Sequence, residues 1–450
     1  MSIFLSRCVF IHCLISGSCT SHRKAVTSRR REPIDSLIEE LAVSLSFSSR
    51  PRKTWIGIPQ ELIEAIIDDL DPSIPFPDRR ALSTCAVVAR SFVQPSQKKL
   101  FSTVDLRAGH HNDLSMKFST LLCSSPHVGT YVKHLMLPYP SHGAHHILSS
   151  IPNIETLSIY PRADATNRLD SGQRHNFDLR FIFGDTPILH DDSSAIKAFS
   201  TPSLRRLELR DLCFGDPPRL FDILGNSMGL KELILCNTHF SFNSPKVLPA
   251  PPCVALTTLE LFGMRTNEVD DLLLSNNTFN VTRLRTLFSD RIHRRLLQTS
   301  AFFLQELTLV DQCESENPSH DMHILYPEAL DHVLPTTSSL HTLHLRVHSI
   351  CAAPAILRQL GNLANMRALK RLSIAAYDVR AFREQRLSWA ELDVQLAEVG
   401  SELDEVRIFY NKSTTPPRLR RCLPLLDSMG VLRLEQATAA EQWRFRQLTY

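Results

Sequence analysis

Five six-residue segments of the form Leu-x-x-Leu-x-Leu recur along the chain: LRRLEL (204–209), LKELIL (230–235), LTTLEL (256–261), LQELTL (304–309) and LHTLHL (340–345). At this leucine content roughly one or two strict matches are expected by chance. Looser versions stand at IETLSI (154–159), LKRLSI (369–374) and LDEVRI (403–408). First positions are commonly 26 to 36 residues apart. Within each segment the last two apolar positions alternate with a non-core position, which is the period of a strand. Helix-like stretches lie between them: PPRLFDILGNSM (217–228), TNEVDDLLLSN (266–276), YPEALDHVL (326–334) and SWAELDVQLAEVG (388–400). Each opens with Pro, Ser or Thr near a helix start.

One strand plus one helix cannot bury its own apolar face, whereas stacked copies bury a continuous core. The sequence therefore predicts an α/β fold in which residues 110–450 form a solenoid of short parallel strands and helices. The gap from Ile154 to Leu204 is wider than the rest and holds a polar stretch, so an insertion loop is expected at 161–195.

A different pattern occupies residues 55–101. In IPQELIEAIIDDL (58–70), Leu62, Ile66, Ile67 and Leu70 fall on one helical face, and Pro59 sits at or near the helix start, where a missing N–H costs nothing. DPSIPFP (71–77) has three prolines in seven residues and must end that helix. A second helix is expected from about Asp78 to Phe92, with Leu82, Cys85, Val88 and Phe92 stepping by three or four. SQKKLF (96–101) reads as a short third helical turn.

This segment resembles an F-box. The family opens with Leu-Pro-x-Glu-Leu, matched here by Ile58, Pro59, Glu61 and Leu62 with Ile for Leu. Ile66 and Leu70 match its first helix. Leu82, Cys85, Val88, Arg90, Ser91 and Phe92 match the second half, with Phe where Trp is commonest, and Leu100 and Phe101 match the close. The resemblance implies a three-helix unit whose apolar surface is covered by a Skp-type adaptor and, through it, linked to a cullin. The implied adaptor-binding residues are Ile58, Pro59, Leu62, Ile66, Leu70, Leu82, Cys85, Val88, Phe92, Leu100 and Phe101. The later segments resemble leucine-rich repeats, and the overall layout resembles fungal F-box proteins. The family's Asn, three positions after the last motif Leu, is missing: Leu212, Thr238, Met264, Gln312 and His348 stand there. Irregular turns are expected in consequence.

The net charge of +3 is too small to argue for nucleic acid. The eleven cysteines form no C-x-x-C pair and read as reduced, buried thiols of a cytoplasmic or nuclear protein. Residues 1–50 read as a poorly structured basic leader, with an apolar stretch interrupted by Arg7 and His12. No stretch offers the roughly 20 apolar residues of a membrane span. No P-loop, nucleophile elbow, G-x-G-x-x-G or H-E-x-x-H occurs, so neither intrinsic catalysis nor a cofactor is expected. His110, His111, His142, His145 and His146 read as surface or helix-lining histidines, since a metal site would also want a set of carboxylates or thiols, and no metal site is expected.

The function these resemblances imply is that of a substrate-receptor subunit of a Skp–cullin–F-box ubiquitin ligase. The solenoid would bind a target protein along the residue after each second motif Leu: Glu208, Ile234, Glu260, Thr308, His344 and Ser373, lining an open, concave face. The alternatives are a secreted leucine-rich-repeat recognition protein, which the Asn276, Asn280 and Asn411 sequons would suit, and an F-box scaffold with no part in ubiquitination.

Overall fold

The structure is a computed structural model. It describes residues 59–70, 77–88, 90–107, 113–139, 144–161, 176–177, 202–214, 229–240, 254–275, 279–310, 338–347, 368–376, 386–399, 402–410 and 416–436, with single positions at 227, 334, 353, 356, 357 and 360. The leader at 1–50, Ile58, and the expected helices at 217–228 and 326–334 lie outside them, apart from Ser227 and Leu334. The chain divides into two compact units, Met1–Thr103 and Val104–Tyr450.

The first unit holds three helices, α1 (Gln60–Asp68), α2 (Pro77–Val88) and α3 (Arg90–Phe101). Pro59 is the N-cap of α1: its carbonyl accepts from the amides of Leu62 and Ile63 at 3.1 and 3.2 Å. Glu61 in the first turn complements the positive end of the helix dipole. Lys99 of α3 donates to the Asp68 carbonyl at 3.1 Å, satisfying one of the last open carbonyls of α1. The second described helix ends at Val88 and the third begins at Arg90, and Phe92 lies on the third. That third helix is a full twelve residues long, with Pro95 inside it. The sequence reading of SQKKLF as a single turn was too short, since the helix starts at Arg90 and runs through Pro95. Its missing amide removes one hydrogen bond without ending the helix.

The second unit is built on a twelve-stranded sheet. Its strands are β1 (Thr103–Asp105), β2 (His134–Tyr139), β3 (Thr156–Pro161), β4 (Arg206–Arg210), β5 (Glu232–Cys236), β6 (Thr258–Phe262), β7 (Thr286–Ser289), β8 (Glu306–Val310), β9 (Thr342–Val347), β10 (Arg371–Ala376), β11 (Glu405–Tyr410) and β12 (Leu432–Gln436). Each strand pairs with the next in chain order, and every pairing from β2 onward is parallel. A parallel sheet with strictly sequential order is the arrangement that stacked strand-plus-connection units produce. All eight motif segments fall on strands. Their leucines stack in register, so that Leu207, Leu233, Leu259, Leu287, Leu307, Leu343 and Leu372 form one buried row. Strand β7 was not among the expected segments. Its sequence LRTLFS (284–289) ends in Ser where the motif has Leu, and that Ser289 is fully buried.

Connections from strand to strand carry α4 (Asp113–Ser124), α5 (Ala144–Ser149), α6 (Thr266–Asp270), α7 (Arg294–Ser300), α8 (Arg386–Val399), α9 (Pro416–Cys422) and α10 (Pro424–Ser428). Phe118, Leu122, Ile147, Leu296, Leu392 and Leu426 on these helices join the core. The expected helices at 266–276 and 388–400 are present as α6, which runs on into a π-type turn at Asp271–Ser275, and as α8. The buried Asp393 of α8 caps α10, accepting from the amides of Leu425 and Leu426 at 3.0 Å each.

The turns after β4, β5 and β6 are regular, contrary to the expectation drawn from the missing Asn. Asp211, Asn237 and Gly263 follow their strands directly, and all three are left-handed, with φ of 52°, 48° and 61°. Each donates its amide to the next turn of the stack: Asp211 to the Cys236 carbonyl, Asn237 to the Phe262 carbonyl and Gly263 to the Asp290 carboxylate, at 2.8, 2.7 and 2.7 Å. Asn237 Nδ2 also donates to Asp211 Oδ1 at 2.9 Å. Residue types that tolerate positive φ therefore build a polar ladder one position before the expected one. Leu212, Thr238 and Met264, at the expected position, are buried instead; Gln312 and His348 lie outside the described residues.

Two residues after each of β4 and β5 the chain adds a short strand, Cys213–Phe214 and His239–Phe240. Asn176–Phe177 pairs in parallel with the first of these. Apart from Pro161 and those two residues, the stretch expected as an insertion at 161–195 lies outside the described residues.

Candidate functional site

The helices of the first unit sort their apolar residues by depth. On α1, Ile63 and Ile67 point inward and are buried, while Leu62 and Ile66 keep 54% and 46% of their surface in water. Two stripes spaced i, i+4 thus run down one short helix on different faces, where the sequence reading put Leu62, Ile66 and Ile67 on a single face. On α2, Leu82 is buried at 0% exposure and Val87 is exposed. Leu100 and Phe101 at the end of α3 are buried. Leu82, Leu100 and Phe101 are therefore core residues, not contact residues, because a unit this small needs them to close its interior. Pro59 is exposed, and Leu70, Cys85 and Phe92 are half-buried. Ile58 and the side chain of Val88 lie outside the described residues. On α1, a pair of branched aliphatic side chains one turn apart remains in water.

The second candidate surface is the strand row. The register brings Glu208, Ile234, Glu260, Thr308, His344 and Ser373 into one line across β4 to β10, with Phe288 of β7 between Glu260 and Thr308. Only Glu260, Phe288 and His344 are partly open. Glu208, Thr308 and Ser373 are buried, and Ile234 is 1% exposed. The expectation of an open row fails at these four positions for two physical reasons.

At its centre the face is apolar. Ile234, Cys236, Phe262 and Val310 form a buried cluster with Phe288 packed against it, the two phenyl rings 4.7 Å apart between centroids. Burial pushes the Cys236 thiol up to about 12. Toward β1 the face is a closed polar network. Glu208 accepts from Ser158 at 3.0 Å and pairs with Arg210. The Arg210 and Arg107 guanidiniums lie over the Tyr160 ring at 5.5 and 4.5 Å, and Arg107 forms a salt bridge to Asp105. Burial alone would raise the Glu208 carboxyl, but the Arg210 charge and hydrogen bonds from Arg210, Tyr160 and Ser158 outweigh it and hold it below the usual range. Burial, helped by the Glu208 and Glu232 charges, raises the Glu260 carboxyl despite the nearby Arg206 and Arg210 guanidiniums.

Accessible charge on this face lies both in this row, at His344 and Arg407, and in the rows beside it. Arg206 pairs with Glu232 at 3.2 Å, Glu306 with His344 at 3.4 Å and Arg407 with Glu435 at 3.3 Å, all at partly exposed side chains. The hydrogen bond from His344 is the largest influence that lowers the Glu306 carboxyl. Sequence reasoning missed Phe288, Arg206, Glu232 and Glu306. Their positions flank the motif leucines, so the strand period could have named all four. Among the described residues no group of three or more His, Cys, Asp or Glu is placed to hold a metal, and no helix is long and apolar enough to cross a membrane.

Compared with known proteins, the chain matches no family model and no curated sequence.

Proposed function

We propose that the protein is a substrate-receptor subunit of a Skp–cullin–F-box ubiquitin ligase, with an F-box at 55–101 and an irregular leucine-rich-repeat solenoid beyond it. The observation that carries this reading is the exposure of Leu62 and Ile66 on α1, at two positions of the F-box-like pattern. A helix in a three-helix unit gains nothing from holding two large aliphatic side chains about half in water, at about 1 kcal/mol of unrealised burial each. A partner with an apolar groove removes that cost, as helix-in-groove docking does. The strand face then serves as the target-reading surface, with Arg206, Glu232, Glu306 and His344 as its accessible polar groups and Phe288 as its partly open apolar one. No bond chemistry falls to this chain; holding a target near a ubiquitin-loaded enzyme raises effective concentration. The chain would act in the cytoplasm or nucleus.

The test is co-purification of the full chain from cells that express a Skp-type adaptor and a cullin. Wild type should retain both, and Leu62→Glu should lose both together while keeping its target proteins. Retention of adaptor and cullin by Leu62→Glu, in a protein with unchanged circular dichroism, refutes the assignment.

A further inference from the structure

Cys123 and Ser119 lie one turn apart on α4, and the imidazole of His146 on α5 sits between them. Cys123 Sγ is 3.4 Å from His146 Nε2, and Ser119 Oγ is 3.3 Å from His146 Nδ1. The thiol is free and exposed, and so is the imidazole. With the ring proton on Nδ1 and donated to the serine hydroxyl, Nε2 is left as the acceptor for the thiol proton. A nucleophile, a base and a group that orients the base are thus assembled on two adjacent helices, in the arrangement that activates cysteines. The proposed adaptor and target surfaces use none of the three.

We propose that Cys123 is a reactive thiol that undergoes exchange with small, low-molecular-weight disulfides, with His146 as its base and Ser119 positioning the ring. In the exchange, the Cys123 proton passes to His146 Nε2 and the thiolate attacks one sulfur of the disulfide. That S–S bond breaks as the new mixed S–S bond forms. The departing thiolate takes the proton back from the imidazolium. Cys123 is oxidised and half of the small disulfide leaves as the reduced thiol, so no further oxidant is needed. The open setting suits a small reagent that approaches from solvent. Among the other described cysteines, Cys236 is buried with its thiol pushed up to about 12, and Cys85 and Cys422 are half-buried. The other described titratable side chains nearest in sequence are Lys117 on α4 and His127 on the 3-10 turn that follows it.

The experiment exposes the reduced full chain to oxidised glutathione and follows the mixed disulfide at each cysteine by peptide mass spectrometry, from about pH 6 to pH 9.5. At about pH 7, Cys123 should react about tenfold faster than Cys85 or Cys422, and His146→Gln should remove that advantage. The gap between wild type and His146→Gln should narrow toward pH 9.5, where hydroxide in solution replaces the imidazole as the base. Ser119→Ala should give a smaller loss with the same pH trend. A Cys123 rate at about pH 7 that matches Cys422, or that His146→Gln leaves within about twofold, overturns the proposal. So does a His146→Gln loss that is equal at every pH, since that signature belongs to a packing change.

Discussion

Asp290 follows β7 and is buried, with Oδ2 accepting the Gly263 amide at 2.7 Å and Oδ1 without a partner. Burial raises its carboxyl from 3.8 to about 6. A folded value above the unfolded one means that the fold prefers the protonated acid. The contribution to stability is therefore intact below pH 3.8, is lost as pH rises through about 6, and stays lost above it. A shift of about two units corresponds to about 3 kcal/mol at neutral pH. Asp290→Asn keeps the oxygen that accepts from Gly263 and removes the charge. Its Nδ2 brings a donor to a place where Oδ1 had no partner, at about 1 kcal/mol. The variant should thus be about 2 kcal/mol more stable than wild type at pH 7.5, and the difference should fall below about 1 kcal/mol at pH 4. Urea unfolding followed by far-ultraviolet circular dichroism at the two pH values measures this. A variant less stable than wild type at pH 7.5 would mean that the charged carboxylate is favourable in its turn, contradicting the reasoning.

Other outcomes follow from the same geometry. Leu307→Ala, in the fully buried leucine row, should cost about 2–5 kcal/mol in urea unfolding, whereas Leu62→Ala on exposed α1 should cost less than about 1 kcal/mol. Gly263→Ala should cost about 1–3 kcal/mol, because φ is positive there and the new methyl meets the Asn237 side chain; a neutral result would break the turn ladder as described. His293 is buried with both ring nitrogens unpartnered, and burial lowers it from 6.5 to about 4. Its neutral ring supports folding above pH 6.5, and that support should be lost as pH falls toward 4. His293→Phe should flatten this acid limb of a stability–pH profile, and an unchanged limb would place the loss elsewhere.

The strand register was legible because each motif Leu has a core reason to be apolar, and the period of two cannot slip without exposing the row. Strand β7 escaped because one Ser in the row breaks the pattern, although Leu284 and Leu287 keep it. The turn ladder was visible in principle: Asp, Asn and Gly stand directly after three consecutive strands, and these are residues that accept positive φ. Attention to the missing Asn hid it. In the first unit, Leu62 and Leu82 look alike in a helical pattern. Only packing separates the one left in water from the one that fills the interior. The closed polar end of the strand row depends on a pairing across 50 residues, Ser158 with Glu208, which local periodicity does not encode.

The most direct measurement is the affinity of the purified full chain for a purified Skp-type adaptor by isothermal titration calorimetry, for wild type, Leu62→Glu and Ile66→Glu. A carboxylate pressed unpaired into an apolar groove costs several kcal/mol, so each variant should bind at least about a hundredfold more weakly than wild type. Both should keep the wild-type unfolding transition, since neither side chain lies in the core. Wild type that gives no heat with the adaptor, or variants that bind it as tightly as wild type, would contradict the account.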